Sequence, residues 1–122
     1  MHTAFDYELA FSRNIGWVTA PEQQVLRSKR IAIAGLGGVG GAHLLTLTRL
    51  GIGAFHIADF DTFDLVNFNR QAGATMDSVG RKKTDVLAGM ALAINPGLEL
   101  RVFDDGVNEA NLDAFLDGVD LY

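Results

Sequence analysis

Apolar stretches recur along the chain and predict four strands. Residues 30–35 (RIAIAG) and 54–59 (AFHIAD) are almost continuously apolar, which is typical of strands buried on both faces of a parallel sheet. Residues 98–103 (LELRVF) alternate between apolar and polar positions and indicate a third strand. Residues 119–122 (VDLY) indicate the opening of a fourth strand.

Helical patterns fill the stretches before and between these strands. Thr19-Ala-Pro-Glu22 is typical of a capping box, and the helix that it begins is expected to run to about Ser28. Residues 39–50 are apolar nearly all round, which predicts a helix covered by other elements on both sides.

Two further helices are predicted in the second half of the chain. Residues 80–94 carry one apolar stripe and end at the Asn-Pro-Gly sequence of residues 95–97. Asn108 is expected to cap a last helix, which Gly118 ends. The residues expected to face the core from these two helices are Val86, Met90, Ile94, Leu112, Phe115 and Leu116.

The alternation of strand and helix predicts an α/β fold, a Rossmann-like parallel sheet with right-handed crossovers and helices on both faces. We expect residues 1–18 to form an N-terminal arm and residues 19–122 to form the Rossmann-like domain. Residues 59 to about 76 are expected to form a long loop. Because the pattern stops in mid-unit, we expect the sheet to be truncated at its fourth strand and the chain to be a fragment of a longer protein.

The amino-acid composition narrows the range of functions that the chain could have. The chain has 122 residues, of which 48% are apolar and 20% charged, as in one ordinary globular domain. A formal net charge of −5 argues against a general nucleic-acid binder. The chain contains no cysteine, which excludes disulfides, a CxxC zinc site and a thiol nucleophile within these residues. No signal peptide is evident and the apolar stretch at 31–48 is rich in glycine, so we expect a cytoplasmic protein that does not span a membrane.

The stretch GLGGVG, at residues 35–40, lies directly between the first strand and the long helix that follows. Its glycines would allow a tight turn, and the helix N-terminus would offer free N–H groups to a phosphate. Asp59 follows the second strand, where an acid could accept hydrogen bonds from a ribose. A glycine turn that only packs the helix on the strand is the structural alternative.

The loop DFDTFDLVNFNRQ, at residues 59–71, concentrates acids, amides and one arginine. A dehydrogenase has no need of Arg70 at this point, whereas a guanidinium beside a phosphate loop would neutralise a polyphosphate. Lys83 begins the next helical pattern and could supply a second cation. The alternative interpretation is a solvated acidic turn in which Arg70 pairs with Asp64.

Four motifs, in this order and spacing, resemble the ThiF/MoeB/ubiquitin-activating adenylation superfamily: GLGGVGG, DFDTFDLVNFNRQ, VGRKK and INP. FSRN, at residues 11–14, resembles the N-terminal arginine element of that family, and the resemblance extends over residues 11–122. It implies that the domain binds ATP and Mg²⁺ and joins a carboxylate to AMP with release of pyrophosphate. The implied substrate is the C-terminus of a ubiquitin-like or sulfur-carrier protein. From the net charge and the glycine-rich apolar stretch we expect neither nucleic acid nor a membrane as a partner.

The resemblance also implies roles for individual residues. Arg70 and Lys83 would contact the phosphates and stabilise charge as the α-phosphorus is attacked, and Gln71 would order the loop. Arg13 would reach the triphosphate of a neighbouring subunit, which requires a homodimer or pseudo-dimer. A structural alternative pairs Arg13 with Glu8 or Asp6. The remaining nucleotide-binding residues implied are Gly35, Gly37, Gly38 and Gly40 for the loop, Asp59 for the ribose, Asp61 nearby and Asn67 for the phosphates.

No metal ligand is assigned within the chain. The metal-binding aspartate of the family would follow the fourth strand, beyond residue 122, and Asp120 lies at the start of that strand. Zinc is expected only from sequence beyond residue 122. Two other functions stay open: a NAD- or FAD-binding oxidoreductase domain, and a non-catalytic scaffold half of a heterodimeric activating enzyme.

Overall fold

The computed structural model describes residues 3–122; Met1 and His2 of the predicted arm lie outside the described residues. Five α-helices, three strands and two short 3-10 turns are found within that range. In chain order these are α1 (Tyr7–Ala10), a 3-10 turn (Ser12–Asn14), α2 (Ala20–Arg27), β1 (Arg30–Ala34), α3 (Gly38–Leu50), β2 (Ala54–Ala58), a 3-10 turn (Leu65–Asn67), α4 (Lys83–Ile94), β3 (Glu99–Phe103) and α5 (Leu112–Leu116).

The three strands form a parallel sheet in the order β1-β2-β3. On the other edge of β1, Leu121 pairs in parallel with Ile31, and its carbonyl accepts the N–H of Ala32 at 2.9 Å. The predicted fourth strand therefore begins beside β1. The strand order reverses at β1, and in open α/β sheets ligands bind at the carboxyl ends of the strands at such a point.

Helices cover both faces of the sheet, which confirms the predicted fold class. On one face, α3 and α4 contribute Leu44 and Leu87 to a large core. On the other face, Phe115 of α5 packs against alanines of β1 and β2. The large core is built mainly from Ile31, Leu36, Leu44, Phe55, Ile57, Phe63 and Leu87, and the small one from Ala32, Ala58 and Phe115.

The predicted burial of β1 and α3 is partly wrong. Ala34 at the end of β1 is exposed, whereas every residue of β2, the central strand, is buried. Helix α3 is not covered on both sides, because Val39 is 69% exposed and only Gly41, Leu44 and Thr48 of this helix are buried. Apolar composition therefore overstates burial at the end of β1 and on the outer side of α3. Within residues 3–122, no helix has the length and hydropathy needed to cross a membrane.

The last two helices begin later than the sequence predicts. Gly80 has a φ of +82° and donates its N–H to Phe63 at 2.9 Å, so it belongs to the loop that precedes α4. Asn108 does not cap α5; it exchanges backbone–side-chain hydrogen bonds of 2.8 and 2.9 Å with Asn111 and forms a turn ahead of the helix. Of the three predicted core residues of α5, only Phe115 is buried, since a five-residue helix presents little more than one turn to the sheet.

The described part of the arm is tied to the carboxyl end of α3. The hydroxyl of Tyr7 donates to the carbonyl of Gly51, and Gln23 of α2 donates to that hydroxyl at 3.0 Å and to the carbonyl of Leu50 at 2.9 Å. Burial raises the pKa of the Tyr7 hydroxyl, which therefore stays protonated as a donor. Asn14 donates to the carbonyl of Leu50 at 3.2 Å. These contacts fix where the predicted arginine element lies.

Candidate nucleotide-binding site

The glycine loop, residues 35–40, joins β1 to α3 in a turn that two of its glycines make possible. Gly35 has a φ of +88° and donates its N–H to the carbonyl of Ala58 at 2.7 Å. A Cβ on Gly40 would lie 1.7 Å from the carbonyl oxygen of Gly35. Glycine is therefore required at these two positions by the fold itself.

The start of α3 presents unpaired backbone donors. Gly37 is the N-cap and offers no side chain to the helix, and no acidic residue lies in the first turn. Within residues 3–122, the N–H groups of Gly37 to Gly40 donate to no acceptor. Free N–H groups at the positive end of a helix dipole form a site for an anion.

Asp59 connects the glycine loop to the end of β2. Its Oδ2 accepts the N–H of Leu36 at 2.7 Å, and its Oδ1 accepts the N–H of Asp61 at 2.8 Å. The expected ribose contact is compatible with this position, because each carboxylate oxygen has a further lone pair. Besides its expected role as a hydrogen-bond acceptor for the ribose, Asp59 therefore holds the glycine loop in shape.

The crossing loop, residues 59–82, packs directly against the glycine loop. The backbone oxygen of Arg70 lies 3.4 Å from the position that a Cβ would take on Gly38. The side-chain amide of Gln71 lies 3.7 Å from the corresponding position on Gly37. Gln71 is only 7% exposed, and its Oε1 has no hydrogen-bond donor within the described residues. Residues 70 and 71 therefore form a wall of the site, with one buried acceptor left open.

The guanidinium of Arg70 is exposed and is not neutralised by a carboxylate in the part of the chain that the structure describes. It donates to the carbonyl of Val66 at 3.2 Å and to Asn69 Oδ1 at 3.1 Å. The alternative pairing with Asp64 is wrong, because no ion pair joins the two side chains in the described residues; Asp64 Oδ1 instead accepts the N–H of Leu65 at 2.7 Å and caps the 3-10 turn. Arg70 is therefore a cation at the edge of the glycine loop with its charge uncompensated.

Asn67 is buried beneath this loop. Its Oδ1 accepts the N–H of Asp64 at 2.8 Å, and its backbone carbonyl accepts the N–H groups of Arg70 and Gln71 at 3.2 and 3.0 Å. The expected phosphate contact would have to use its side-chain N–H₂ group. In the structure, Asn67 shapes the segment that presents Arg70.

Lys83 is the first residue of α4 and is only 6% exposed. Its Nζ lies 4.0 Å from Asp61 Oδ2 and 5.7 Å from the centre of the Phe63 ring. This ammonium group makes no hydrogen bond within residues 3–122. The neighbouring Thr84 is fully buried, and its Oγ1 has no hydrogen-bond partner among residues 3–122. A buried ammonium with three donors and one distant counter-ion is a strong candidate for phosphate binding.

The sequence carries only a weak signal for Thr84. A hydroxyl directly after a lysine pair, at the start of a predicted helix, is also an ordinary helix-start residue. Only its burial without a partner distinguishes it.

Arg13 is not brought to the glycine loop of its own chain. It lies exposed in the first 3-10 turn, whose Asn14 contacts the carboxyl end of α3. The 13 residues of α3 make a helix about 20 Å long, and the glycine loop is at the other end. The alternative ion pairs are absent in the described range, since Glu8 pairs with Arg27 at 3.4 Å and Asp6 caps α1 through Leu9 at 3.0 Å.

The residues present fit a nucleotide better than they fit a metal on its own. Within residues 3–122 there is no cluster of three or more His, Asp, Glu or Cys side chains that could hold a metal ion. Open N–H groups, two cations and a buried open acceptor at Gln71 instead match the phosphates and polar edges of a nucleotide. Mg²⁺ commonly binds through one or two carboxylates together with substrate phosphates, so Asp59 and Asp61 fit it only as additional ligands.

Gly38→Val is expected to weaken ATP binding at least about tenfold, or about 1.4 kcal/mol. A Cβ at residue 38 would meet Arg70 at ordinary contact distance, so the variant should fold, while the valine methyl groups would cover the free N–H groups. Calorimetric titration of Mg-ATP checks the affinity.

Gly40→Ala provides the contrast, because its Cβ would collide with the Gly35 carbonyl and should lower the thermal stability of the protein. Unchanged ATP affinity in a folded Gly38→Val variant would contradict the assignment of the loop.

Residues 11–121 match the ThiF family. The tRNA threonylcarbamoyladenosine dehydratase of Haemophilus influenzae is 33% identical over 112 residues, which are 91% of this chain and 42% of that protein. Ubiquitin-like modifier-activating enzyme 5 of Drosophila sechellia is 37% identical over 95 residues, 77% of this chain and 23% of that protein.

Solved structures give the same relationship. The crystal structure of the Escherichia coli tRNA N6-threonylcarbamoyladenosine dehydratase TcdA in complex with ATP superposes with a TM-score of 0.86 and 30% identity, covering 95% of this chain and 48% of that one. The chain thus spans less than half the length of each of these relatives. The match over residues 11–121, together with these relatives, shows that the chain belongs to the ThiF family.

Proposed function

We propose that this chain is the nucleotide-binding part of an ATP-dependent adenylyltransferase that activates a carboxylate. The observation that carries the proposal is the combination of unpaired N–H groups at Gly37 to Gly40 with the uncompensated charges of Arg70 and Lys83. A set of donors and cations with no protein acceptor is suited to a triphosphate. The ATP complex of TcdA supports the choice of nucleotide.

In the proposed reaction, a carboxylate oxygen attacks the α-phosphorus of ATP. The bond from the α-phosphorus to the oxygen that bridges it to the β-phosphorus breaks, and pyrophosphate leaves with that electron pair. Negative charge grows on the transferred phosphoryl group and on the leaving pyrophosphate, where Arg70 and Lys83 stabilise it. Asp59 orders the glycine loop and accepts hydrogen bonds from the ribose.

Mg²⁺ would supply positive charge that offsets the charge of the phosphates, and Asp59 is the acid of this chain that would help to hold it. No other residue of the chain is assigned to the metal.

The cationic side chains of Arg70 and Lys83 also argue against a NAD- or FAD-binding oxidoreductase. A dinucleotide offers only a pyrophosphate bridge, which the N–H groups of the glycine loop already satisfy. An exposed guanidinium beside that loop and a buried ammonium at α4 would then have no acceptor. A non-catalytic scaffold is disfavoured for the same reason, because it would not require Lys83 to stay buried with one distant counter-ion.

Two substrate classes are compatible with carboxylate activation. We favour the C-terminal carboxylate of a ubiquitin-like or sulfur-carrier protein, because a chain with a net charge of −5 offers little general attraction to a polynucleotide. The relative named as a ubiquitin-like modifier-activating enzyme supports this class. The second candidate is the carboxylate of a threonylcarbamoyl group on tRNA, which the names of the Haemophilus relative and of TcdA favour.

Arg13 is proposed to complete the site of a second subunit. It has no ion-pair partner within residues 3–122, and it lies at the far end of α3 from its own glycine loop. A cation delivered from a neighbouring subunit adds positive charge at the leaving pyrophosphate. This role requires a dimer or pseudo-dimer.

ATP–pyrophosphate exchange by the full-length protein tests the function and separates the two substrates. Labelled pyrophosphate should enter ATP when the carboxylate substrate and Mg²⁺ are both present. The panel consists of a sulfur-carrier protein with a C-terminal Gly-Gly, the same protein with its C-terminus amidated, and tRNA with and without the threonylcarbamoyl group. Exchange with neither intact substrate, at demonstrated ATP saturation, would contradict both candidates.

A further inference from the structure

Asp61 lies between the glycine loop and α4 and contacts the chain on both sides. Its N–H donates to Asp59, whose other carboxylate oxygen holds the N–H of Leu36 in the glycine loop at 2.7 Å. Its backbone carbonyl accepts the N–H of Lys83 at 3.0 Å. A continuous series of hydrogen bonds therefore runs from the glycine loop through Asp61 to the first residue of α4.

The side chain of Asp61 acts on the same lysine. Its Oδ2 is 4.0 Å from Lys83 Nζ, and it is the only carboxylate within that distance among residues 3–122. The Lys83 side chain is 8% exposed and the Asp61 side chain 64%. At 4.0 Å the carboxylate attracts the ammonium without hydrogen-bonding it, so the three protons of Lys83 remain free for another acceptor.

Among the groups around Lys83, the carboxylate of Asp61 is the one that mainly fixes the position of the ammonium group. The ring of Phe63 lies 5.7 Å from Nζ and supplies a weak cation–π contact. In the described part of the chain the hydroxyl of Thr84 makes no hydrogen bond, so it does not hold the ammonium either. Removing the Asp61 charge would leave a buried ammonium without a counter-ion, free to turn away from the site.

We infer that Asp61 is a positioning residue, which holds the Lys83 ammonium ready for the nucleotide phosphates and binds neither nucleotide nor metal. This inference rests on the proposed function and replaces the nucleotide contact expected for Asp61. Electrostatics alone gives the opposite expectation, because removing a negative charge beside a triphosphate should strengthen its binding and favour the reaction. A loss of activity in Asp61→Asn is therefore informative.

A double-mutant cycle in the full-length protein tests the inference. At saturating Mg-ATP and with the substrate that supports exchange, Asp61→Asn should slow pyrophosphate exchange by about 10- to 100-fold. In a Lys83→Met background the same change should alter the rate by less than about twofold, because Asp61 acts through Lys83. Asp77 is exposed in the same loop and has no ion-pair partner within residues 3–122, so Asp77→Asn removes one charge and should leave the rate unchanged.

Two outcomes would overturn the inference. If the losses of Asp61→Asn and Lys83→Met multiply, Asp61 contacts the nucleotide independently. If raised Mg²⁺ restores the Asp61→Asn rate, Asp61 binds the metal.

Measuring thermal stability tests the link between Asp61 and Lys83 independently of the proposed function. In thermal unfolding without ligand, Asp61→Asn should lower Tm by about 3 °C or more in the wild-type background and should have no effect with Lys83→Met. If no substrate supports exchange but this coupling is found, the proposed function fails and the Asp61–Lys83 link stands. Equal Tm losses in both backgrounds would contradict the link itself.

Discussion

Arg70→Ala and Lys83→Met should each reduce ATP–pyrophosphate exchange in the full-length protein by about 100-fold or more. Both cations lack an adequate protein partner in the described residues, so their charge is available to the transferred phosphoryl group. Because the interaction strengthens as negative charge develops, the loss should appear in the turnover rate more than in the KM for ATP. Steady-state exchange at varied Mg-ATP separates the two parameters.

The chain offers a matched control for each change. Lys82 is adjacent to Lys83 but is exposed, and its hydrogen bond to Asp104 at 2.8 Å raises the pKa of Lys82. Arg81 is an exposed arginine of the crossing loop that makes no side-chain hydrogen bond or ion pair within residues 3–122. Lys82→Met and Arg81→Ala should keep the exchange rate within about twofold. Normal exchange in Arg70→Ala and Lys83→Met would mean that these residues do not bind the phosphates during the reaction.

Arg13→Ala should abolish exchange, and activity should return when this variant forms mixed dimers with Arg70→Ala. In a mixed dimer, one site contains an intact Arg70 and receives the partner's intact Arg13, while the other site lacks both. Random assortment makes half of the dimers mixed, and each mixed dimer has one working site of two, so the unfractionated mixture should recover about a quarter of the wild-type activity and isolated mixed dimers about half. The measurement is exchange after co-refolding of differently tagged variants, with mixed dimers isolated through both tags.

Arg13→Ala refolded with itself is the control for recovery caused by refolding alone. Absence of activity in isolated mixed dimers would show that Arg13 acts within its own subunit, whereas normal exchange by Arg13→Ala alone would show that it has no part in the reaction. The structure disfavours the first of these, since α3 separates Arg13 from its own glycine loop.

Local sequence patterns predict where the helices and strands of this fold lie better than they predict which of their residues are buried. The capping box at Thr19 and Glu22 is present, with hydrogen bonds of 2.8 and 3.2 Å, because both partners lie within one turn. The exposure of Val39 could not be predicted, since it depends on which elements pack against α3. The late start of α4 follows from the pairing of Gly80 with Phe63, 17 residues earlier, which no local pattern encodes.

The sequence predicts which residue types form the site better than it predicts how their side chains are arranged. The glycine loop and Asp59 fall where strand ends and helix starts place them, so their proximity follows from the α/β pattern. The partners of the charged residues depend on how the crossing loop folds. Sequence alone therefore could not show that Asp59 already holds two backbone N–H groups, or that Lys83 is buried while Lys82 is paired at the surface.

Transfer of oxygen-18 from a labelled carboxylate to AMP tests carboxylate adenylation most directly. The substrate that supports exchange is labelled at its carboxylate and incubated with the full-length protein, Mg-ATP and the acceptor that completes its reaction. Mass spectrometry then measures the label in AMP and in pyrophosphate. The proposed function predicts one labelled oxygen in AMP and none in pyrophosphate, because the attacking carboxylate oxygen stays on the α-phosphorus. Label in phosphate or pyrophosphate, or AMP formed without label, would contradict it.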